Sequence, residues 1–222
     1  MSTTTMDLSN RDIRQRDLVP ASKLKELNVT IIGVGAIGRQ VAIQLASIGA
    51  QKIRLIDFDT VNVENLAVQG FMEQDLGKQK VDAVGELCRN INSQITIETK
   101  DMKFNNAMFP GGAVFVCVDS IDTRKSIFEG ICNKADFFCD GRMSAEFMRI
   151  FTVTDLTSKE YYQTQLFPSS EAFVGSCTAK TVIYCASGAA CLMVSQFVKW
   201  LREAEIDKEV CMNLLTNEMR VI

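Results

Sequence analysis

Val29-Thr30-Ile31-Ile32-Gly33-Val34-Gly35-Ala36-Ile37-Gly38 opens the stretch of chain that decides the fold. The four apolar or β-branched residues at its start read as a strand buried on both faces. Glycines 33, 35 and 38 follow with G-x-G-x-x-G spacing. From Arg39 to Ile48 the apolar residues fall at 41, 42, 45 and 48, a helical period, and Gly49 is placed to end that helix. Ile53-Arg54-Leu55-Ile56 is a second strand run, closed by Asp57. Strand, glycine turn, helix and strand in so short a span make one βαβ unit. Its right-handed crossover sets the two strands parallel.

Working outward, residues 78–91 repeat a helical pattern, and Ile95-Thr96-Ile97 reads as a strand. Ala113 to Val118 is a further buried strand, Asp122 to Lys134 a helix and Asp136 to Asp140 a short strand. Phe147 to Val153 reads as a strand, of antiparallel sense. Residues 155–176 are polar, aromatic and serine-rich without a period, and are expected to form an irregular crossing segment. Ser187 to Ala204 reads as a long closing helix with Trp200 on its apolar side. The order predicts an α/β fold: a doubly wound, Rossmann-like, mostly parallel sheet with helices on both faces and an antiparallel extension. Residues 1–27 read as an exposed arm with a lead-in helix, and 28–222 as one domain.

The 222 residues are 47% hydrophobic and 23% charged, an ordinary globular balance, so fibrous and disordered classes are excluded. A net charge of −3 gives no reason to expect a nucleic-acid surface. No histidine is present, which removes Ser-His-Asp triads, Cys-His pairs and His-bearing zinc sites. The 8 cysteines contain no Cys-x-x-Cys pair, so no zinc is expected. Those in apolar runs, among them Cys117, Cys139, Cys185 and Cys191, read as core residues in a reducing compartment. Met1 to Asp7 lacks a basic flank and an apolar core, and no uncharged apolar run is long enough to span a membrane. A cytoplasmic protein without a membrane partner is expected.

In the strand–turn–helix context, the first glycine permits the tight turn, the second admits phosphate to the backbone and the third lets helix and strand pack closely. Helix-terminal N–H groups then face an anion. Asp57 follows Gly38 by 19 residues, where a carboxylate accepts from ribose hydroxyls. A bound nucleotide is predicted. The surroundings favour ATP with Mg2+ over NAD: Asp59, Glu64, Asn65 and Gln69 follow Asp57, then Lys78 and Lys80, then Asp119 and Asp122 beyond a buried strand. Mg2+ takes one or two carboxylates plus phosphate oxygens, and an ammonium offsets phosphate charge.

With these residues the chain resembles the ThiF/MoeB family of ubiquitin-activating-type enzymes. The likeness runs from about Arg11 to Leu201 and is densest over 29–80 and 114–124. The resemblance implies adenylation, with Mg-ATP, of the C-terminal carboxylate of a ubiquitin-like or sulfur-carrier protein ending in Gly-Gly, by a homodimer. It implies that Gly33, Gly35 and Gly38 hold phosphate, Asp57 the ribose and Asp122 the metal, and that Lys80 contacts phosphate. Asp59, Asn65 and Gln69 fall on binding positions of the same motif. Arg11-Asp12-Ile13-Arg14-Gln15 is similar to the family's N-terminal arm, which makes Arg14 the side chain that reaches the partner subunit's ATP.

The chain departs from the pattern in three places. Val68 stands where the family has a phosphate-binding arginine, with Lys78 as the nearest substitute. Ala36 replaces a common glycine, and the zinc pairs are missing. Cys177, in Ser176-Cys177-Thr178, lies where related enzymes that carry substrate as a thioester, or cross-link to it, keep a cysteine; Lys180 is the nearest cation, and a thioester would make a conjugating-type enzyme a further partner. Two other readings remain at this point: an NAD-dependent oxidoreductase, and a non-catalytic half of a heterodimeric activating enzyme.

Overall fold

The structure, a computed structural model, describes residues 10–167 and 181–222. It holds one eight-stranded sheet in the order β3-β2-β1-β4-β5-β6-β7-β8. The strands are β1 (Asn28–Ile32), β2 (Lys52–Asp57), β3 (Thr96–Asp101), β4 (Gly112–Val116), β5 (Ala135–Ser144), β6 (Phe147–Val153), β7 (Glu209–Asn213) and β8 (Glu218–Val221). β1 to β5 are mutually parallel, and the pairings β5–β6, β6–β7 and β7–β8 are antiparallel. The direction of winding reverses between β1 and β4, and the crevice at the carboxyl ends of those strands is where such sheets bind ligands.

Seven helices accompany the sheet among the described residues: α1 (Ala21–Glu26), α2 (Ala36–Ile48), α3 (Val63–Gln69), α4 (Lys80–Ile91), α5 (Ile121–Ile131), α6 (Leu156–Thr164) and α7 (Ile183–Leu201). Alternation along the strands divides the core. Val29, Ile31, Ile53, Leu55, Phe115 and Phe137 meet α2, α4 and α7 on one face. Ile32, Val114, Val116 and Phe138 meet Ile127 and Phe128 of α5 and Tyr162 of α6 on the other. Trp200 stacks against Phe137 and Phe197 on the apolar side of α7, as its pattern predicts.

The doubly wound, mostly parallel sheet with an antiparallel extension is the fold expected, but several details differ. Residues 156–164 are not irregular: they form α6, whose first turn is capped by the Asp155 carboxylate accepting from the Ser158 N–H at 2.7 Å. Only Ser158 and Tyr162 of this helix are buried, so too few apolar residues recur to reveal it. β5 runs on to Ser144 because it pairs along its whole length with β6. The closing helix spans 183–201. β7, β8 and α3 have no counterpart in the sequence reading; all four residues of β8 are exposed, which leaves no alternation to read. Cys139 and Cys185 are buried as expected, whereas Cys191 is exposed on the outer side of α7.

Candidate nucleotide site

α2 is held at both ends. At its start the loop is knitted into the sheet: the Gly33 N–H donates to the Ile56 carbonyl at 2.8 Å, and the Cys117 N–H to the Ile32 carbonyl at 2.8 Å. Gly33 adopts φ +85°, and a Cβ there would stand 2.8 Å from the Cys117 carbonyl oxygen. A Cβ on Gly38 would overlap the Gly33 carbonyl oxygen. Both glycines are therefore demanded by the fold. Gly35 is not: a Cβ there would meet only the Gln69 side chain, at an ordinary 3.5 Å. The fold therefore does not require glycine at 35, and a backbone without a side chain beside the first amides of α2 is what a phosphate needs to approach.

Asp57 ends β2 and serves the loop directly. One carboxylate oxygen accepts from the Val34 N–H at 2.7 Å and the other from the Asp59 N–H at 2.9 Å. Each carboxylate oxygen has further accepting capacity, so a ribose hydroxyl can still be accepted. Asp59 in turn pairs with Lys80 at the first position of α4, Nζ to Oδ2 2.8 Å, and the Lys80 N–H donates to the Asp59 carbonyl. Lys80 is 5% exposed, so its ammonium is fixed in place at the start of a helix. Asn65 is engaged structurally: its side-chain oxygen accepts from the Asn62 N–H at 3.0 Å and closes the first turn of α3. Gln69, at the end of α3, lies over Gly35 with a buried Oε1 that has no hydrogen-bond partner.

Asp119 and Asp122 are both exposed beyond β4. Asp122 sits in the first turn of α5, after the Ser120 cap, where a carboxylate favours the helix dipole. Asp119 lies two residues after Cys117, whose carbonyl touches Gly33, and so is the nearer of the two to the glycine loop along the chain. Among the described residues no three acidic or cysteine side chains are gathered as a metal cage.

Lys78 does not stand in for the arginine absent at Val68. Its ammonium pairs with Asp75 at 3.2 Å and Glu86 at 3.1 Å, and these bonds raise its pKa. The cation that does lie beside this loop is Arg39, which sequence reasoning missed. It is 7% exposed and stacks over Phe71 at 5.3 Å. Burial lowers its pKa, with Asp75 opposing the shift.

Arg14 lies elsewhere. The arm docks on the far end of α2, where the Arg11 guanidinium donates to the Ala46 carbonyl at 2.9 Å and the Gln15 amide to the Ile48 carbonyl at 3.0 Å. A helix of this length puts the arm about 20 Å from the glycine loop. Arg14 is exposed. Cys177 lies outside the described residues. Burial pushes the Cys88 and Cys117 thiols up to about 12 and the Cys139 thiol well above the usual range.

A parallel sheet reversing at β1/β4, with a glycine loop, an acid at the end of β2 and a fixed lysine beside it, defines a nucleotide-binding α/β protein. The family model of the ThiF family matches residues 9–220, and the chain belongs to that family. It is similar to ubiquitin-like modifier-activating enzyme 5 of Bombyx mori, 31% identical over 130 residues that cover 51% of this chain and 33% of that protein. It is also similar to molybdopterin-synthase adenylyltransferase of Salmonella typhimurium, 29% identical over 129 residues, covering 54% of this chain and 52% of that one. The chain thus matches between a third and about half of the length of these relatives. Among solved structures, PaaA superposes with a TM-score of 0.78 at 20% identity, covering 100% of this chain and 85% of that one. E. coli MccB crystallised with AMPCPP and MccA superposes with a TM-score of 0.77 at 18% identity, covering 96% and 71%. At such identities the likeness is one of fold.

Proposed function

We propose that the chain activates the C-terminal carboxylate of a ubiquitin-like or sulfur-carrier protein by transferring AMP to it from Mg-ATP. The observation that carries this reading is the buried Lys80 ammonium fixed on Asp59, next to the Asp57 carboxylate that holds the glycine loop at Val34. The names of the relatives support it, since they are activating enzymes and adenylyltransferases.

The chemistry suits the residues. A carboxylate oxygen of the carrier protein attacks the α-phosphorus of ATP, and the bond to pyrophosphate breaks as the acyl–phosphate bond forms. The nucleophile is ionised at neutral pH, so no proton has to be removed and a chain without histidine lacks nothing for this step. What remains is positioning and charge neutralisation. The α2 amides at Gly35 receive phosphate, Asp57 accepts from ribose, and Lys80 lies against developing negative charge. Asp119 or Asp122 would hold Mg2+, which would supply further charge neutralisation. Arg14 cannot serve its own subunit from the far end of α2, which favours a homodimer in which each arm reaches the neighbour's site.

A second step on Cys177 extends the proposal: its sulfur attacks the acyl carbon, AMP leaves and a thioester forms. Among the described cysteines, the raised Cys88, Cys117 and Cys139 thiols are poorly suited to that role.

The test is ATP–pyrophosphate exchange by the purified chain with a carrier protein ending in Gly-Gly. Exchange that requires both Lys80 and the carrier is expected; tight binding of NAD with no exchange would overturn the proposal. Val68 favours a second reading, a half that only completes a partner's site, and exchange by this chain alone would dismiss it. Replacing Cys177 with serine should stop thioester formation and spare exchange.

A further inference from the structure

Arg39 is the first residue after the third glycine, in the first turn and a half of α2. An arginine at such a position ordinarily points to solvent. Here it is 7% exposed, and among the described residues its guanidinium donates no hydrogen bond and makes no ion pair. Its surroundings are the ring of Phe71, at 5.3 Å, and the backbone of Gly70, where a Cβ would stand 3.1 Å from Nη1. Asp75 acts on it only at longer range, because the Asp75 oxygens are taken by the Met72 N–H at 3.1 Å and the Lys78 ammonium at 3.2 Å. No acceptor among the described residues holds the guanidinium, so its donors are open to an anion that enters beside them.

The neighbourhood says which anion. Helical side chains lean back toward the helix N-terminus, which carries Arg39 toward the glycine loop. A chain of contacts orders the crevice: Asp57 holds Val34, Gly35 follows, Gln69 lies over Gly35, and Gly70 beside it borders Arg39. Arg39 thus adjoins Gly70, the residue that follows the glutamine covering Gly35. The vacancy at Val68, one residue before Gln69, removes a cation from this spot, and Lys78 is already engaged.

We propose that Arg39 is the phosphate clamp of this chain: its guanidinium binds the terminal phosphates of ATP in place of the arginine that Val68 has displaced. The clamp has moved from the end of α3 to the start of α2 and enters the same crevice from its other wall. The inference rests on the ATP-dependent reading above and adds which residue selects a triphosphate over a monophosphate.

The experiment is titration of the full chain with ATP·Mg and, separately, with AMP, for wild type, Arg39→Met and Arg39→Lys. Methionine keeps the stem over Phe71 and removes the charge. Arg39→Met should weaken ATP binding about 10- to 100-fold, the range for a lost bond to a charged group, and leave AMP binding unchanged. Arg39→Lys should fall between the two, because it keeps the charge but not the fork. Unchanged ATP binding in either variant overturns the assignment, as does an equal loss for ATP and AMP with a lowered melting temperature, the mark of a purely structural arginine. If Arg39→Met fails to fold, the lysine variant decides by the same comparison. A wild-type chain that takes up no ATP removes the functional reading itself, whereas a wild type that binds ATP alongside an indifferent Arg39→Met removes only Arg39.

Discussion

A methyl group added to Gly38 would overlap the Gly33 carbonyl oxygen, whereas one added to Gly35 would meet only a flexible glutamine at 3.5 Å. The two glycines thus answer to different demands. Gly38→Ala should cost about 3 kcal/mol or more, because backbone has to move to relieve the overlap. Gly35→Ala should change stability by about 1 kcal/mol or less and weaken ATP binding at least about tenfold, since the methyl occupies the phosphate approach. Denaturant unfolding and nucleotide titration on the same two proteins separate these effects. Arg39 shows what single-residue reading misses. One charged residue in a helix pattern is normally on the wet face, and only its position after the third glycine together with the missing cation at Val68 marks it out. Asp57 shows the converse: its place at the end of a strand after a glycine loop was legible, but its bond to Val34 was not, because it depends on how the loop turns.

At the scale of elements, the nucleotide half was readable because β1, β2 and β4 are continuous apolar runs punctuated by glycine and acid. α6 was hidden because it is held by polar groups more than by an apolar stripe. Its cap gives a testable pH response. Bonds from the Ser158 backbone, and then from the Ser158 and Thr157 side chains, hold the Asp155 carboxyl below its ordinary value of 3.8. A depressed carboxyl contributes stability above its unfolded-state value and loses it as pH falls through the folded one. Asp155→Ala should therefore cost about 1 kcal/mol near neutrality, and the gap from wild type should close below pH 3.8. Thermal unfolding of both proteins over that range measures it.

Tyr162 ties α6 to the sheet more deeply. Its hydroxyl donates to Asp140 at 2.9 Å, and Asp140 is wholly buried between Arg124 and Arg142. Asp140→Ala should destabilise the fold by about 3–5 kcal/mol, because it leaves the buried Arg124 and the half-buried Arg142 with only the Val118 and Gln165 carbonyls and no countercharge between them. Tyr162→Phe, which removes one hydroxyl, should cost about 1–2 kcal/mol. Chemical denaturation ranks the pair, and equal costs would show that Asp140 does not hold the two arginines together.

For the whole molecule, the separation between arm and loop makes a prediction about assembly. A mixture of Arg14→Ala and Lys80→Ala proteins, each inactive alone, should regain about a quarter of wild-type exchange after subunits re-equilibrate. Half of the random dimers are mixed, and one site in each has both groups. A mixture as inert as its components would place Arg14 outside the neighbour's site.

The way the arm is fastened also governs how its role can be dissected. Arg11 and Gln15 occupy two of the last carbonyls of the helix whose other end bears the glycine loop. Truncating the N-terminus would remove Arg14 and at once fray the rod that carries the glycine loop. A shortened protein would be impaired twice over, and only point changes that leave those two anchors in place can tell one injury from the other.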